Sequence, residues 1–125
     1  MGSAHRLTGR NILVVEDEPL ISLEMTALLE SAGAKVLQAR SVTEAVDRAV
    51  GLSAAVLDYG LGGESVPALC ALLSERDIPF MFYTGYADVQ RTYPEAVVVQ
   101  KPATANALLT AIMGLVEPRT GALAG

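Results

Sequence analysis

Hydrophobic positions along the chain follow two patterns, and each pattern is typical of one kind of element. Short continuous apolar runs, such as Asn11–Val15 and Ala54–Leu57, are expected of strands that are buried on both faces. Apolar residues that recur every three or four positions, as in the segment after Pro19, are expected of amphipathic helices. A strand is thus followed by a helix, and this unit repeats along the sequence.

Proline, glycine and capping residues mark where the helices begin and end. The first helix begins at Pro19, where the missing N–H of proline costs nothing, and Gly33 stops it. Ser41 and Glu44 form a capping box for the second helix, which Gly51 ends. The apolar stripes of these helices are Ile21, Met25, Leu28, Leu29 and Ala32, and then Val42, Ala45, Val46, Ala49 and Val50. The predicted strands are Asn11–Val15, Lys35–Ala39, Ala54–Leu57, 79–84 and 96–100, and the later helices span about 65–75 and 103–116.

Alternating strands and helices predict an α/β fold, because parallel neighbours need crossover connections, which are almost always right-handed. Five such units fit a flavodoxin-like (βα)5 doubly wound parallel sheet of order 2-1-3-4-5, with a short or degenerate fourth helix. A chain of 125 residues, 51% of them apolar, is long enough for one core. We expect a domain over 10–117, a leader over 1–9 and a loose tail over 118–125.

Composition narrows the classes of function. There are 9 basic and 14 acidic residues and no basic cluster, so direct nucleic-acid binding is not expected. No apolar run reaches the roughly 18 residues that span a bilayer. The first ten residues lack the apolar stretch of a signal peptide, and we therefore expect a cytoplasmic protein. Cys70 can form no internal disulfide and is expected to be a small buried hydrophobe.

Polar residues follow four of the predicted strands. Glu16 and Asp17 come after strand 1, Asp58 closes strand 3, Thr84 closes strand 4 and Lys101 follows strand 5. In doubly wound sheets, ligands bind beyond the carboxyl ends of the strands, at the switch point between strands 1 and 3. The predicted topology would therefore bring these five groups to one rim.

The chemistry of this set points to phosphoryl transfer. Neighbouring carboxylates repel each other unless a cation neutralises them. Mg²⁺ suits the role, because it is usually held by one or two carboxylates together with phosphate oxygens. Asp58 is the candidate nucleophile, since it ends a central strand next to a glycine loop that can admit a donor. Lys101 would neutralise the phosphoryl charge, and Thr84 would add a hydroxyl.

Four blocks of this sequence resemble, in order, the conserved blocks of bacterial response-regulator receiver domains, over roughly residues 10–117. The blocks are Ile12-Leu13-Val14-Val15-Glu16-Asp17-Glu18-Pro19, Ala55-Val56-Leu57-Asp58, Phe82-Tyr83-Thr84-Gly85 and Lys101-Pro102. This resemblance implies a signalling domain that catalyses only its own phosphoryl transfer and dephosphorylation. Its implied partners are a histidine kinase or histidine phosphotransferase and an unknown downstream protein.

The resemblance also assigns roles to individual residues. It implies that Asp58 is phosphorylated and that Lys101 binds the phosphoryl oxygens. Thr84 would be the switch hydroxyl that moves toward the phosphate. The implied Mg²⁺ ligands are Glu16, Asp17, Asp58 and the main-chain carbonyl of Gly60. The family often has a cis peptide bond at the position of Pro102, where proline lowers the cis penalty.

Some positions depart from the family pattern. Val98 stands where the family usually has an aromatic residue in strand 5, so the usual coupling to the threonine cannot operate. The block from Phe82 to Tyr86 resembles instead single-domain receivers with a Phe-Ala-Thr-Gly-type motif, and Tyr86 is our switch candidate. The family's proline after the aspartate is absent, and glycines 62 and 63 are expected to make that loop more mobile. We expect phosphorylation to order this loop and the segment 85–95 together.

Each motif also has a simpler interpretation when it is taken alone. Glu16 and Asp17 could belong to a solvated acidic helix start, and Asp58 could be a turn former. Lys101 could be a surface lysine, and Tyr86 could be a packing aromatic. The convergence of these groups at one rim favours the receiver interpretation.

Other classes of protein share part of this pattern. A small Mg²⁺-dependent phosphohydrolase of the haloacid-dehalogenase type would carry an acidic residue two positions after the nucleophile, where this chain has Gly60. A pseudo-receiver would have lost the aspartate or the lysine. The chain could also be the receiver part of a hybrid kinase or of a larger regulator.

Overall fold

The structure is a computed structural model that describes residues 6–61, 66–86 and 88–117. Its elements are β1 (Asn11–Val15), α1 (Pro19–Ser31), β2 (Lys35–Ala39), α2 (Val42–Arg48), β3 (Ala54–Leu57), α3 (Val66–Glu75), β4 (Phe80–Thr84), α4 (Val89–Thr92), β5 (Val97–Gln100) and α5 (Ala105–Val116). All strand pairs are parallel, in the order β2-β1-β3-β4-β5. The predicted flavodoxin-like order is therefore confirmed. Glycines 62 and 63 and the predicted helix start near residue 65 lie outside the described residues.

The strands divide the interior into two layers, because successive side chains of a strand point to opposite faces. Leu13 and Val15 of β1 pack with α2, α3 and α4 on one side of the sheet. Ile12 and Val14 pack with α1 and α5 on the other. All four side chains are buried, as the unbroken apolar run of β1 predicted.

The second helix begins as predicted, with one difference in its capping box. The Ser41 hydroxyl accepts the N–H of Glu44 at 3.1 Å. The Glu44 carboxylate reaches back to the N–H of Arg40, at 2.8 Å, rather than to that of Ser41. The predicted stripe is wrong at Val46 and Val50, which are 39% and 72% exposed. Val46 lies on the solvent side of the helix, and Val50 lies beyond its last residue, Arg48.

The fourth helix is a single turn of four residues, which confirms the predicted short or degenerate helix. Aromatic side chains fill the space beside it. Tyr93 directly follows α4, and its ring centroid lies 5.1 Å from that of Phe82 and 6.2 Å from that of Tyr59. Val89 is the buried residue of α4 itself. Side-chain packing thus replaces the longer helix in covering β4.

The packed part of the chain begins before residue 10, where the sequence placed the start of the domain. Leu7 is fully buried, and its N–H donates to the carbonyl of Ala32 at 2.8 Å. Thr8 crosses the turn after α1 at Gly33, which has a φ of +99°. Leu7 of the predicted leader therefore packs against the domain. This packing could not be predicted from the sequence, because one apolar residue in a polar segment has no periodic pattern. None of the described helices is both long and apolar enough to cross a membrane.

Candidate functional site

The backbone holds three of the predicted site residues one position beyond their strands. The N–H of Glu16 donates to Ala39 at 2.9 Å, that of Asp58 to Val15 at 3.1 Å and that of Lys101 to Thr84 at 2.9 Å. Each bond continues the parallel ladder by one step past the last strand residue. Glu16, Asp58 and Lys101 therefore start from one edge of the sheet, at the carboxyl ends of β1, β3 and β5.

The Lys101 ammonium bridges two buried carboxylates. Its Nζ lies 2.9 Å from Glu16 Oε1 and 3.1 Å from Asp58 Oδ2. Glu16 and Asp58 are only 3% and 7% exposed. Their other oxygens accept main-chain N–H groups, from Glu18 at 3.1 Å and from Gly60 at 3.1 Å. Each carboxylate is thus oriented by one backbone donor and one shared cation.

Burial and charge act against each other in this group. Burial raises the pKa of Glu16 above its ordinary value, and the hydrogen bond from Lys101 opposes this only in part. Burial alone would lower the pKa of Lys101. The hydrogen bond to Glu16 and the charge of Asp58 outweigh burial, so that the pKa of Lys101 is raised. The ammonium is therefore held in its charged form between its two partners.

Asp17 completes a cluster of three carboxylates that fits a hard divalent cation. Glu16, Asp17 and Asp58 each offer an oxygen, and these oxygens all lie within 4.8 Å of one another. Glu16 and Asp58 are buried, whereas Asp17 is exposed and faces solvent. Oxygen ligands at one open rim are the donor set that Mg²⁺ takes, and its remaining positions would be filled by water and phosphate oxygens.

Thr84 and Tyr86 form a second part of the site beside the loop that follows β3. Thr84 is fully buried, and its Oγ1 accepts the N–H of Tyr86 at 3.3 Å. The ring of Tyr86 contacts Gly60, although 54% of Tyr86 is exposed. Tyr59 lies between Tyr86 and the aromatic core, with ring centroids 6.2 Å apart in an edge-to-face arrangement. The ring of Tyr59, the residue after Asp58, is thus in contact with the ring of Tyr86, the residue two positions after Thr84.

All the site residues that were predicted from the sequence lie at this rim. The structure adds two further residues, Tyr59 and Tyr83. Tyr59 contacts Phe82, Tyr86 and Tyr93 through its ring. Tyr83 lies under the Lys101 ammonium, with 5.5 Å between Nζ and the ring centroid. Their position beside Asp58 and Thr84 in the sequence was the available signal. The Lys101–Pro102 peptide bond is cis, as the resemblance implied.

Comparison with known proteins gives a consistent result. No family model matches the sequence. A curated relative is the phyllosphere-induced regulator PhyR of Methylorubrum extorquens, which is 32% identical over 111 residues. The match covers 79% of this chain but 42% of the relative, so the chain spans less than half the length of that protein.

Solved structures of related proteins share the fold. The receiver domain of the response regulator PhyR from Erythrobacter litoralis superposes with a TM-score of 0.76 at 25% identity, covering 90% of this chain and 96% of that domain. The anti-anti-sigma factor PhyR from Bartonella quintana gives a TM-score of 0.73 at 27% identity, covering 86% of this chain and 47% of that protein.

The strand order and the acidic rim with its bridging lysine agree with these similarities. The sequence match to PhyR and the superposition on its isolated receiver domain point the same way. This chain has the fold of the response-regulator receiver domains, and its sequence is similar to that of PhyR over 111 residues.

Proposed function

We propose that this domain accepts a phosphoryl group on Asp58 in a Mg²⁺-dependent reaction and thereby changes its binding to a downstream protein. The observation that carries the proposal is the Lys101 ammonium, which lies 3.1 Å from Asp58 Oδ2 and 2.9 Å from Glu16 Oε1. A buried nucleophile with a cation already beside it is the arrangement that phosphoryl transfer needs.

The donor would be a phosphohistidine of a kinase or phosphotransferase. An oxygen of Asp58 attacks phosphorus, the O–P bond forms, and the P–N bond breaks with its electron pair leaving on the histidine nitrogen. The Gly60 N–H, which donates to Oδ1 at 3.1 Å, keeps the carboxylate oriented. Lys101 then exchanges its contact with Asp58 for the phosphoryl oxygens.

Glu16, Asp17 and Asp58, with the main-chain carbonyl of Gly60, would hold the Mg²⁺. When bound, the ion supplies positive charge that offsets the carboxylates and the incoming phosphoryl oxygens. Asp17 is the exposed member of the set and can bind an ion that arrives from solvent. Burial raises the pKa of Glu16, and a second cation beside it would favour its charged form.

In this proposal the domain catalyses only its own phosphorylation and dephosphorylation, and it converts no other substrate. The position two residues after Asp58, where a phosphohydrolase of the dehalogenase type has its acid, is Gly60. The output would be a protein–protein contact. The similarity to an anti-anti-sigma factor supports a partner protein in the control of transcription rather than direct contact with DNA. A cytoplasmic location stays a prediction.

Tyr86 is the proposed switch residue. Its N–H donates to Thr84 Oγ1, and its ring contacts Gly60. When Thr84 moves toward a phosphoryl group on Asp58, this hydrogen bond must change, and the ring must change with it. The loop after Asp58 and the segment 85–95 would then respond together.

Phosphorylation is tested by incubation with acetyl phosphate and Mg²⁺, followed by intact-protein mass spectrometry. We expect one base-labile phosphoryl adduct in the parent and none when EDTA removes the metal. Asp58→Asn should abolish the adduct, and Asp17→Asn should raise the Mg²⁺ concentration that labelling requires. Asp47→Asn, an exposed acidic residue of α2, is the matched control and should label like the parent. Equal labelling of Asp58→Asn, or labelling that ignores Mg²⁺, would refute the proposal.

A further inference from the structure

Tyr83 lies beside Lys101, and the phosphoacceptor chemistry described above does not use it. The ammonium is 5.5 Å from the centroid of the Tyr83 ring. A cation within about 6 Å of an aromatic face is attracted by the ring quadrupole. Tyr83 also lines the narrow crevice that Glu16 and Asp58 line. The ammonium therefore contacts two carboxylates and one neutral ring.

The strand register brings the ring and the ammonium together. Tyr83 of β4 pairs with Val99 of β5, and Lys101 follows Val99 by two positions. Residues two apart along a strand lie on the same face, so Lys101 starts as the diagonal neighbour of Tyr83. The hydrogen bond from the Lys101 N–H to the Thr84 carbonyl, 2.9 Å long, fixes this relation at the strand end.

We infer that Tyr83 is a positioning residue that keeps the Lys101 ammonium within reach of the acceptor oxygen during phosphoryl transfer. A third carboxylate at this place would compete with the phosphoryl group for the ammonium, whereas a neutral ring does not. The attraction of a ring face also depends less on direction than a hydrogen bond does, so the ammonium can shift toward new oxygens without losing it. Because the Lys101 side chain is only 18% exposed, little water weakens this contact. The inference rests on the proposed phosphorylation of Asp58.

The simpler role for Tyr83 is packing. The ring belongs to the layer of α1 and α5, where it lines a cavity of about 190 Å³ with Ile21, Met25 and Leu108 among others. A packing residue can be replaced by an apolar side chain of similar size at little cost. A residue that acts through its ring face cannot, and this difference defines the experiment.

The experiment compares Tyr83→Phe, which keeps the ring face, with Tyr83→Leu, which keeps an apolar side chain but has no ring. Rates of Asp58 phosphorylation are measured with acetyl phosphate over a range of Mg²⁺ concentrations. We expect Tyr83→Leu to lower the maximal rate about three- to tenfold, with an unchanged Mg²⁺ dissociation constant, and Tyr83→Phe to remain within about twofold of the parent. Phe80→Leu changes the same strand on the opposite face and serves as the matched control.

Ring fluorination separates electrostatics from shape. Fluorinated phenylalanines at position 83 keep the size of the ring and progressively weaken its quadrupole. We expect the rate to fall with each added fluorine relative to Tyr83→Phe. A flat fluorination series, an unaffected Tyr83→Leu, or an equal loss in Tyr83→Leu and Tyr83→Phe would each overturn the inference. The fluorinated series also decides the matter if Tyr83→Leu does not fold.

Two readouts keep this inference distinct from the proposed function. If the parent protein takes no phosphoryl group, the proposed function fails. If the parent is labelled and the ring series has no effect, only the role of Tyr83 fails. In addition, NMR of the unphosphorylated protein should show ring-current shifts on the Lys101 side-chain methylenes that persist in Tyr83→Phe and vanish in Tyr83→Leu. Their absence from the parent would contradict the contact itself.

Discussion

The ring of Tyr86 lies directly on Gly60, and a β-carbon added to that glycine would collide with it. Gly60 in turn donates its N–H to Asp58 at 3.1 Å, and Tyr86 donates its N–H to Thr84 at 3.3 Å. The loop that follows Asp58 and the end of β4 are therefore connected by the side chain of Tyr86. In the proposed function this connection would carry the signal from Asp58, since Val98 supplies no aromatic ring from β5.

Tyr86→Ala tests the connection as a switch. We expect phosphorylation of Asp58 to proceed as in the parent, because Tyr86 provides no ligand to the reacting atoms. The phosphorylation-induced NMR shift changes over 85–95 should disappear, whereas Tyr86→Phe should keep them. An unaltered response in Tyr86→Ala would reduce the residue to a packing role.

A double-mutant cycle between Gly60 and Tyr86 tests the contact itself. Gly60→Ala should lower the free energy of unfolding by about 1 kcal/mol, a modest value because a ring that is 54% exposed can move aside. In the Tyr86→Ala background, the cost of Gly60→Ala should fall to below about 0.5 kcal/mol. Urea unfolding of the four proteins measures the coupling, and additive costs would show that the two residues do not interact.

Lys101→Met tests the bridging cation. Removing the ammonium leaves Glu16 and Asp58 buried without their shared partner, and we expect a loss of about 2–4 kcal/mol in the free energy of unfolding. Added Mg²⁺ should recover more stability in this variant than in the parent, because it replaces the missing charge. Arg6→Met is the control, since it breaks an exposed ion pair with Glu117 and should cost less than about 1 kcal/mol. An equal Mg²⁺ effect in Lys101→Met and the parent would contradict this account.

Gly33→Ala tests the packing of the N-terminal segment. The φ of +99° disfavours a side chain, and a β-carbon there would come within 2.5 Å of Thr8 Oγ1. We expect a loss of about 1–3 kcal/mol in thermal or urea unfolding. Gly114→Ala in α5, where a β-carbon meets nothing within 4 Å, should instead stabilise the protein by about 0.5–1 kcal/mol. Similar effects at both glycines would show that Thr8 does not pack on this turn.

Cys70 should react slowly with alkylating reagents. Burial raises the pKa of its thiol from 9.0 to about 11, and the hydrogen bond with Tyr93 opposes this only in part. At pH 8 the folded protein should therefore alkylate with iodoacetamide about 100-fold more slowly than the urea-unfolded chain, or slower still. The thiol of the unfolded chain loses its proton at lower pH than that of the folded protein. The free energy of unfolding should therefore decline as the pH rises from 9.0 to about 11. Comparable alkylation rates before and after unfolding would contradict the burial of Cys70.

Most of the fold could be predicted from the sequence because the buried strands are visible as unbroken apolar runs. β1 and β3 each have a neighbouring strand on both sides, and an unbroken apolar run is the pattern expected of a strand whose two faces are both covered. The site followed from the topology, since Glu16, Asp58 and Lys101 each come directly after a strand. The apolar pattern of single segments was therefore sufficient to predict the strands and the residues that follow them.

The sequence failed where a contact joins distant segments. Leu7 is a single apolar residue in a polar stretch, and only the carbonyl of Ala32 and the core beyond it explain its burial. Tyr83 lies within the apolar run of β4, where nothing distinguishes the face toward Lys101 from the face toward α3. Its contact depends on the register between β4 and β5, which periodicity does not reveal.

The ion pair between Arg6 and Glu117, 2.8 Å long, has an architectural consequence. Arg6 precedes β1, and Glu117 follows α5, which returns antiparallel to the strands. The two ends of the packed region thus meet at the edge of the sheet opposite Asp58. A neighbouring module joined to either end would start from the same patch, at a distance from the rim that carries Glu16, Asp58 and Lys101.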